Sequence, residues 1–221
     1  MPRVNGHSCA FALILMLTVT FSVTRSKAQN IISTGDYWTY WDFGYDPDPY
    51  WTDPNFDDFE WSFGPSPLGF GETYIVTTVQ QGIMTAYFRH YFYLDAPPAG
   101  PLTVRVRRDD GVIVYINGLE VFRDNMPDGP ADYNTPAVLA VEANGYLEFT
   151  VNDPFYFFSG YNVISAEVHQ HDLFSSDLVF DLQMSSGPPP RAVAITSPAN
   201  NTVIGPGTDL TITAAASPES L

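Results

Sequence analysis

From residue 29 onward, apolar and polar residues alternate in short runs, and no window carries a capped helical period. Period-two alternation punctuated by Gly, Pro, Asn and Asp predicts short strands and an all-β fold. Ala86, Phe88, His90, Phe92 and Leu94 share one face of a run whose other face carries Tyr87, Arg89, Tyr91 and Tyr93. Leu102, Val104 and Val106 alternate with Thr103, Arg105 and Arg107, which predicts a half-buried strand whose basic face meets solvent or acidic neighbours. Ile164, Ala166 and Val168 repeat the pattern. So do Leu178, Phe180, Leu182 and Met184, with Val179, Asp181 and Gln183 turned away.

The strongest local signal is VIVYINGLEVF at residues 112–122. Asn-Gly between alternating apolar runs suits the left-handed dihedrals of a two-residue hairpin turn. Pairing across Asn117-Gly118 sets Ile116 opposite Leu119 and Val114 opposite Val121, with Ile113, Tyr115, Glu120 and Phe122 on the other face. Arg108-Asp109-Asp110-Gly111 reads as a tight turn linking this hairpin to the preceding strand. Short strands at this spacing point to a sandwich or jelly roll. Tyr37 to Glu72, rich in aromatic and acidic residues with little alternation, reads as long ordered loops plus one or two edge strands.

The first 28 residues read as an address. Arg3, the apolar run Ala10 to Val23 and the small residues of Ser26-Lys27-Ala28 form a secretory signal peptide pattern, with cleavage expected after Ala28. The run is shorter than the roughly 20 residues of a spanning helix, so a soluble, secreted mature protein is expected. Cys9, the only cysteine, falls in this leader. Disulfides, cysteine nucleophiles and zinc-thiolate sites are thereby excluded from the mature chain. Residues 29–184 form the expected main domain, and Ser185 to Pro190 (SSGPPP) a linker, because stacked prolines do not continue a sheet. Residues 191–221 contain two strand-like runs, too few to close an immunoglobulin-like sandwich of about 100 residues. A longer polypeptide with downstream domains is the expectation.

Charge narrows the partners. The whole chain carries 9 Lys+Arg against 25 Asp+Glu, a formal net charge of −16. Loss of Arg3, Arg25 and Lys27 with the leader brings the mature chain to about −19 and leaves it without lysine. Such a chain repels phosphate backbones and anionic lipid, so neither nucleic acid nor a membrane surface is expected as a partner, and no membrane insertion is expected. Neutral polar ligands, cations and basic partners remain.

Candidate chemistry is sparse. Asp109-Asp110 is either a backbone-capping pair in a turn or half of a carboxylate constellation completed from elsewhere. His169 and His171 would face the same way on a strand, but no third metal ligand is evident, and strand-end hydrogen bonding is the simpler reading. Asp42, Asp46, Asp48 and Asp53 are hard oxygen ligands set in loops, which makes them candidates for structural calcium, although EF-hand spacing is absent. Tyr50 and Trp51, in a Pro-Asp loop, are candidate exposed platforms for sugar stacking. Nucleophile-elbow serines and phosphate-cradling glycine loops are absent.

Taken together, WTYWD (38–42), NFDDFEW (55–61), GPSPLGFGE (64–72), TAYFRHYF (85–92), RVRRDDGVIVYINGLEVFRDNMP (105–127), NVISAEVHQ (162–170) and SSDLVFDLQM (175–184) resemble a galactose-binding-like jelly-roll module. Such modules recur in large secreted bacterial proteins, beside calcineurin-like phosphoesterase, lamin-tail or immunoglobulin-like domains. The tail VAITSPANNTVIGPGTDLTITAAA similarly resembles the opening of a bacterial immunoglobulin-like domain. The resemblance implies a jelly-roll β-sandwich, packing roles for Trp38 and Trp61, and a non-catalytic module that binds glycan or another extracellular surface. Its candidate contact residues are Tyr50, Trp51, Arg108, Asp109, Asp110 and His169. The alternative is an inert spacer of a secreted hydrolase, such as a calcineurin-like phosphoesterase, whose catalytic part lies elsewhere.

Overall fold

A computed structural model describes residues 29–186 and two short strands, 193–197 and 213–216. The leader ending at Ala28 and most of the Pro-rich linker lie outside the described residues. In chain order the strands are β1 (Asn30–Ile32), β2 (Tyr37–Trp41), β3 (Ser62–Pro65), β4 (Leu68–Phe70), β5 (Thr77–Thr78), β6 (Thr85–Leu94) and β7 (Leu102–Asp109). There follow β8 (Gly111–Ile116), β9 (Leu119–Asp124), β10 (Leu147–Val151), β11 (Gly160–His169), β12 (Leu178–Ser186), β13 (Val193–Ser197) and β14 (Thr213–Ala216). One 3-10 turn, Pro154–Tyr156, is the only helical element among the described residues.

Two six-stranded sheets face each other as a jelly-roll β-sandwich. The first runs β10-β7-β12-β4-β5, with β1 also paired to β12; the second runs β3-β2-β6-β11-β8-β9. β13 and β14 form a separate antiparallel pair. The inner faces carry the alternating apolar rows read from sequence: Ala86, Phe88 and Phe92, then Leu102, Val104 and Val106, then Ile164, Ala166 and Val168, then Leu178, Phe180, Leu182 and Met184, all buried. Aromatic rings tie the sheets together. Phe180 of β12 stacks on Phe88 at 4.2 Å and meets Trp38 edge-on at 4.9 Å, while Phe122 stacks on Phe149 at 4.1 Å. Such pairs add about 0.5–1.5 kcal/mol beyond their buried area.

The details depart from expectation in four places. Asp109-Asp110 does not turn a hairpin: β7 and β8 lie in different sheets, so the link carries the chain across the sandwich. The Asn117-Gly118 hairpin forms, and Ile116 faces Leu119 as expected, but a bulge between Val114 and Tyr115 sets Val114 opposite Phe122 rather than Val121. One extra residue reverses which side chains face inward, and Phe122 joins the core in consequence. β2 is an internal strand between β3 and β6. β12 runs to Ser186, two residues into the predicted linker, paired with Leu102.

Close approach requires glycine at position 69. Its φ is +147°, and a Cβ there would lie 1.8 Å from the Leu178 carbonyl oxygen, so the β4–β12 pairing leaves no room for any side chain.

Candidate functional site

The outer face of the second sheet is covered. Strand register sets Tyr87 of β6 and Ile113 of β8 on either side of Glu167 of β11, and one row away Arg89 and Tyr115 on either side of Ser165. Long strands normally leave such a face to solvent. Here the 42–61 loop folds over it, held by Arg89, which is fully buried. Arg89 Nε lies 3.0 Å from Asp58 Oδ2, and its remaining nitrogens donate to the carbonyls of Trp51, Asp53 and Phe56 and to Tyr91 Oη. Trp51 is thereby pressed against Tyr87 and Tyr115, with ring centroids 5.1 and 5.7 Å away.

Between this loop and residues 131–132 opens a cleft of about 490 Å³, lined by Asp46, Trp51, Tyr87, Tyr115, Asp132 and Glu167, with Pro47, Pro49, Thr52 and Ala131 closing its sides. A second hollow of about 540 Å³ adjoins it, sharing Tyr115 and Ala131 and adding Glu120 and Arg123. Tyr87 Oη donates to Asp46 Oδ1 at 2.9 Å, and Tyr115 Oη donates to Glu167 Oε1 at 2.6 Å. Burial foremost, then their carboxylate neighbours, push both phenol pKa values far above the usual range, so both remain neutral donors. The Tyr133 N–H donates to Asp46 Oδ1 at 2.7 Å, linking the two loops that frame the cleft.

His169, fully buried at the end of β11, backs the cleft. Its Nδ1 sits 2.8 Å from the Thr135 carbonyl, which only accepts, so Nδ1 carries a hydrogen. Nε2 faces Glu167 Oε2 at 3.3 Å. Nε2 makes no hydrogen bond among the described residues, so of the two Glu167 oxygens only Oε1 is bonded.

A second acidic group gathers at one end of the sandwich. Carboxylate oxygens of Glu72, Glu142 and Asp177 lie within 4.8 Å of one another, a grouping that could hold a metal ion. Next to them Asp109, 2% exposed, has its pKa pushed up to about 7, first by burial and then by the charges of Asp177, Asp110 and Glu142, against a hydrogen bond from the Ala143 backbone. Gln170, also buried, donates Nε2 to the Asp177 carbonyl at 2.8 Å and leaves Oε1 buried without a partner among the described residues.

The residues singled out from sequence are scattered over these features. Tyr50 is exposed as expected, but Trp51 is not a platform: it is 8% exposed, because Arg89 draws its carbonyl inward. Arg108 is tied to Asp124. Asp110 caps the backbone N–H groups of Val141 and His171 at 2.6 and 2.8 Å, as the turn reading predicts. His169 and His171 bond the Thr135 and Ala137 carbonyls. Asp42, Asp46, Asp48 and Asp53 do not converge; each accepts from a backbone N–H, of Gln80, Tyr133, Tyr50 and Asn55 respectively. The acids that do converge, Glu72, Glu142 and Asp177, come from three separate loops, and no local spacing marks them. Glu167 and Arg89 had a faint signal, a charge on the outward row of a long apolar strand.

No family model matches the chain, and no curated protein matches it. Solved structures similar to it include Bacteroides uniformis β-glucuronidase 2 covalently bound to cyclophellitol-6-carboxylate aziridine, at 17% identity over 73% of this chain and 18% of that one, with a TM-score of 0.49. A glycosyl hydrolase family 2 member from Bacteroides cellulosilyticus is 16% identical over 72% of this chain and 20% of its own, with a TM-score of 0.45. The Ruminococcus gnavus β-glucuronidase in complex with uronic isofagomine is 14% identical over 65% and 21%, at 0.40. The chain thus spans about a fifth of these neighbours' length. Likeness at this level says nothing of activity or ligand.

Proposed function

We propose that residues 29–184 are a secreted, non-catalytic accessory module of the galactose-binding-like type, which binds carbohydrate on an extracellular surface and serves further domains of the same polypeptide. The observation that carries this reading is the cleft over β6, β11 and β8. Two loops fold back across a sheet face to build it, on a wall fixed by Arg89 and by the Tyr87–Asp46 and Tyr115–Glu167 bonds. An inert spacer needs no such construction. Aromatic rings beside carboxylate acceptors suit a pyranose, whose faces are apolar and whose rim is hydroxylated.

Retention of the mature chain, residues 29–221, on immobilised polysaccharides tests the reading. Retention that free sugar competes off supports it; no retention on acidic, neutral or cell-wall glycans overturns it in favour of the spacer. Protein recovered from culture medium with Gln29 as its first residue would support the secretory leader.

The module is also proposed to take structural calcium, at Glu72, Glu142 and Asp177 rather than at the four loop aspartates. Calcium favours clustered hard oxygens, and the carboxylates of Glu72, Glu142 and Asp177, within 4.8 Å of one another, support a cation there.

A further inference from the structure

We infer that the cleft selects sugars bearing a free ammonium group, glucosamine-type residues, over neutral and uronic-acid sugars. The inference rests on the carbohydrate reading above and deepens it. Three carboxylates line the cleft, Asp46, Asp132 and Glu167, and no Lys, Arg or His lines it. The nearby cations are already committed. Arg89 is held by Asp58 and loop carbonyls, and Arg123 in the adjoining hollow bonds both oxygens of Glu120.

Two of the lining acids have a free oxygen in a fixed place. Asp46 Oδ1 accepts from Tyr87 Oη and Tyr133 N, and Asp132 Oδ1 accepts from the Asn134 N–H and Thr135 Oγ1. Among the described residues Oδ2 of each has no partner, and both side chains are exposed. Each carboxylate is oriented by its bound oxygen and offers the other, so little side-chain entropy remains to be lost on binding an ammonium donor. Half-buried Tyr115, with Trp51 and Tyr87 packed behind it, supplies the apolar part of the wall. The charge of the mature chain enriches cations around it and repels uronates.

A sugar fits better than a basic peptide. The cleft lies over β6, β11 and β8, which are internal strands of the second sheet, so a peptide would find no free strand edge to pair with. Its volume of about 490 Å³ is at the scale of a small-molecule pocket.

Calorimetry on the mature chain, at fixed moderate salt, compares a glucosamine tetramer, its fully N-acetylated form, a galacturonate tetramer and a lysine-rich peptide. The glucosamine tetramer is expected to bind at least about tenfold more tightly than the other three. Asp132→Asn, with an unchanged melting temperature, should lower that affinity about tenfold, while Glu148→Gln, the same charge change on β10 of the other sheet, should leave it unaltered. Equal losses in the two variants would make the effect one of bulk charge and overturn the inference. Tighter binding of the N-acetylated or uronate tetramer would overturn it while leaving glycan binding intact. A peptide that binds as tightly and displaces the sugar would overturn it too. Binding of no glycan at all would remove both readings.

Discussion

Arg89 on β6 and Trp51 in the 42–61 loop are joined by a buried hydrogen bond from the guanidinium to the tryptophan carbonyl. The same guanidinium pairs with Asp58 Oδ2 at 3.0 Å. Arg89 is thus the most heavily bonded of the anchors that fold the 42–61 loop onto a sheet face, beside Tyr87 Oη and the Tyr133 N–H on Asp46, and the cleft exists only because that loop is in place.

Replacing Arg89 should therefore cost more than an average core substitution. Arg89→Met leaves the Trp51 and Asp53 carbonyls without their donor, and the Asp58 carboxylate, 14% exposed, with Thr39 Oγ1 as its remaining donor and no cation. Breaking a buried pair of this kind costs roughly 3–5 kcal/mol. Arg89→Lys keeps the charge but loses the planar fork, so it should recover less than half of that loss. Urea unfolding curves with matched slopes would measure both, and a lysine variant as stable as the parent would contradict the fork argument.

Asn117 performs two tasks that can be separated. Its φ of +49° makes the hairpin turn. Its side chain accepts from the Val163 N–H at 2.9 Å and donates to the Tyr156 carbonyl and Asn162 Oδ1, both at 2.8 Å. Asn117→Gly keeps the backbone shape and removes only the bonds, for an expected loss of roughly 1–3 kcal/mol. Asn117→Ala adds strain at positive φ, about 1 kcal/mol more. Thermal melts of the two variants should differ in that order.

Gly69→Ala should prevent β4 from pairing with β12. The added Cβ would meet the backbone of Leu178, which has no rotamer to change. Soluble yield and far-ultraviolet circular dichroism would report the failure, and a native-like, fully soluble alanine variant would show that the strands can separate locally.

The inner half of this fold was legible in the sequence; the outer half was not. Alternation marks Phe88, Val104, Ala166 and Phe180 as inward-facing because period two is a property of each strand alone. The same alternation puts Tyr87 and Arg89 on an outer face, and nothing local says that a loop more than 30 residues away will cover them. Trp51 was misread for that reason. Asp109 and Asp110 were visible as a pair, but their neighbours Glu142 and Asp177 arrive from the loops after β9 and β11. Convergence of that kind is tertiary information. The bulge at Val114 and Tyr115 is a different failure: a single slipped residue moved Phe122 from the outer row into the core.

Asp109 sets the expected response to pH and to calcium. Its folded pKa is raised to about 7 from 3.8, so the folded state holds its proton more tightly than the unfolded chain. The resulting stability is fully present below about pH 4 and is lost as pH climbs toward and through 7. At about 1.4 kcal/mol per unit, this one group accounts for at most about 4 kcal/mol. Asp109→Asn should flatten that part of the profile. A cation held by Glu72, Glu142 and Asp177 would cancel the negative charge that raises this pKa and so offset the loss. Calcium should therefore raise the melting temperature more at pH 8 than at pH 5, where folded Asp109 keeps its proton and has no charge to be offset, and chelator should reverse the gain. Identical melting temperatures at pH 8 with calcium and with chelator would rule out the metal site, while leaving the proton linkage to be read from the asparagine variant.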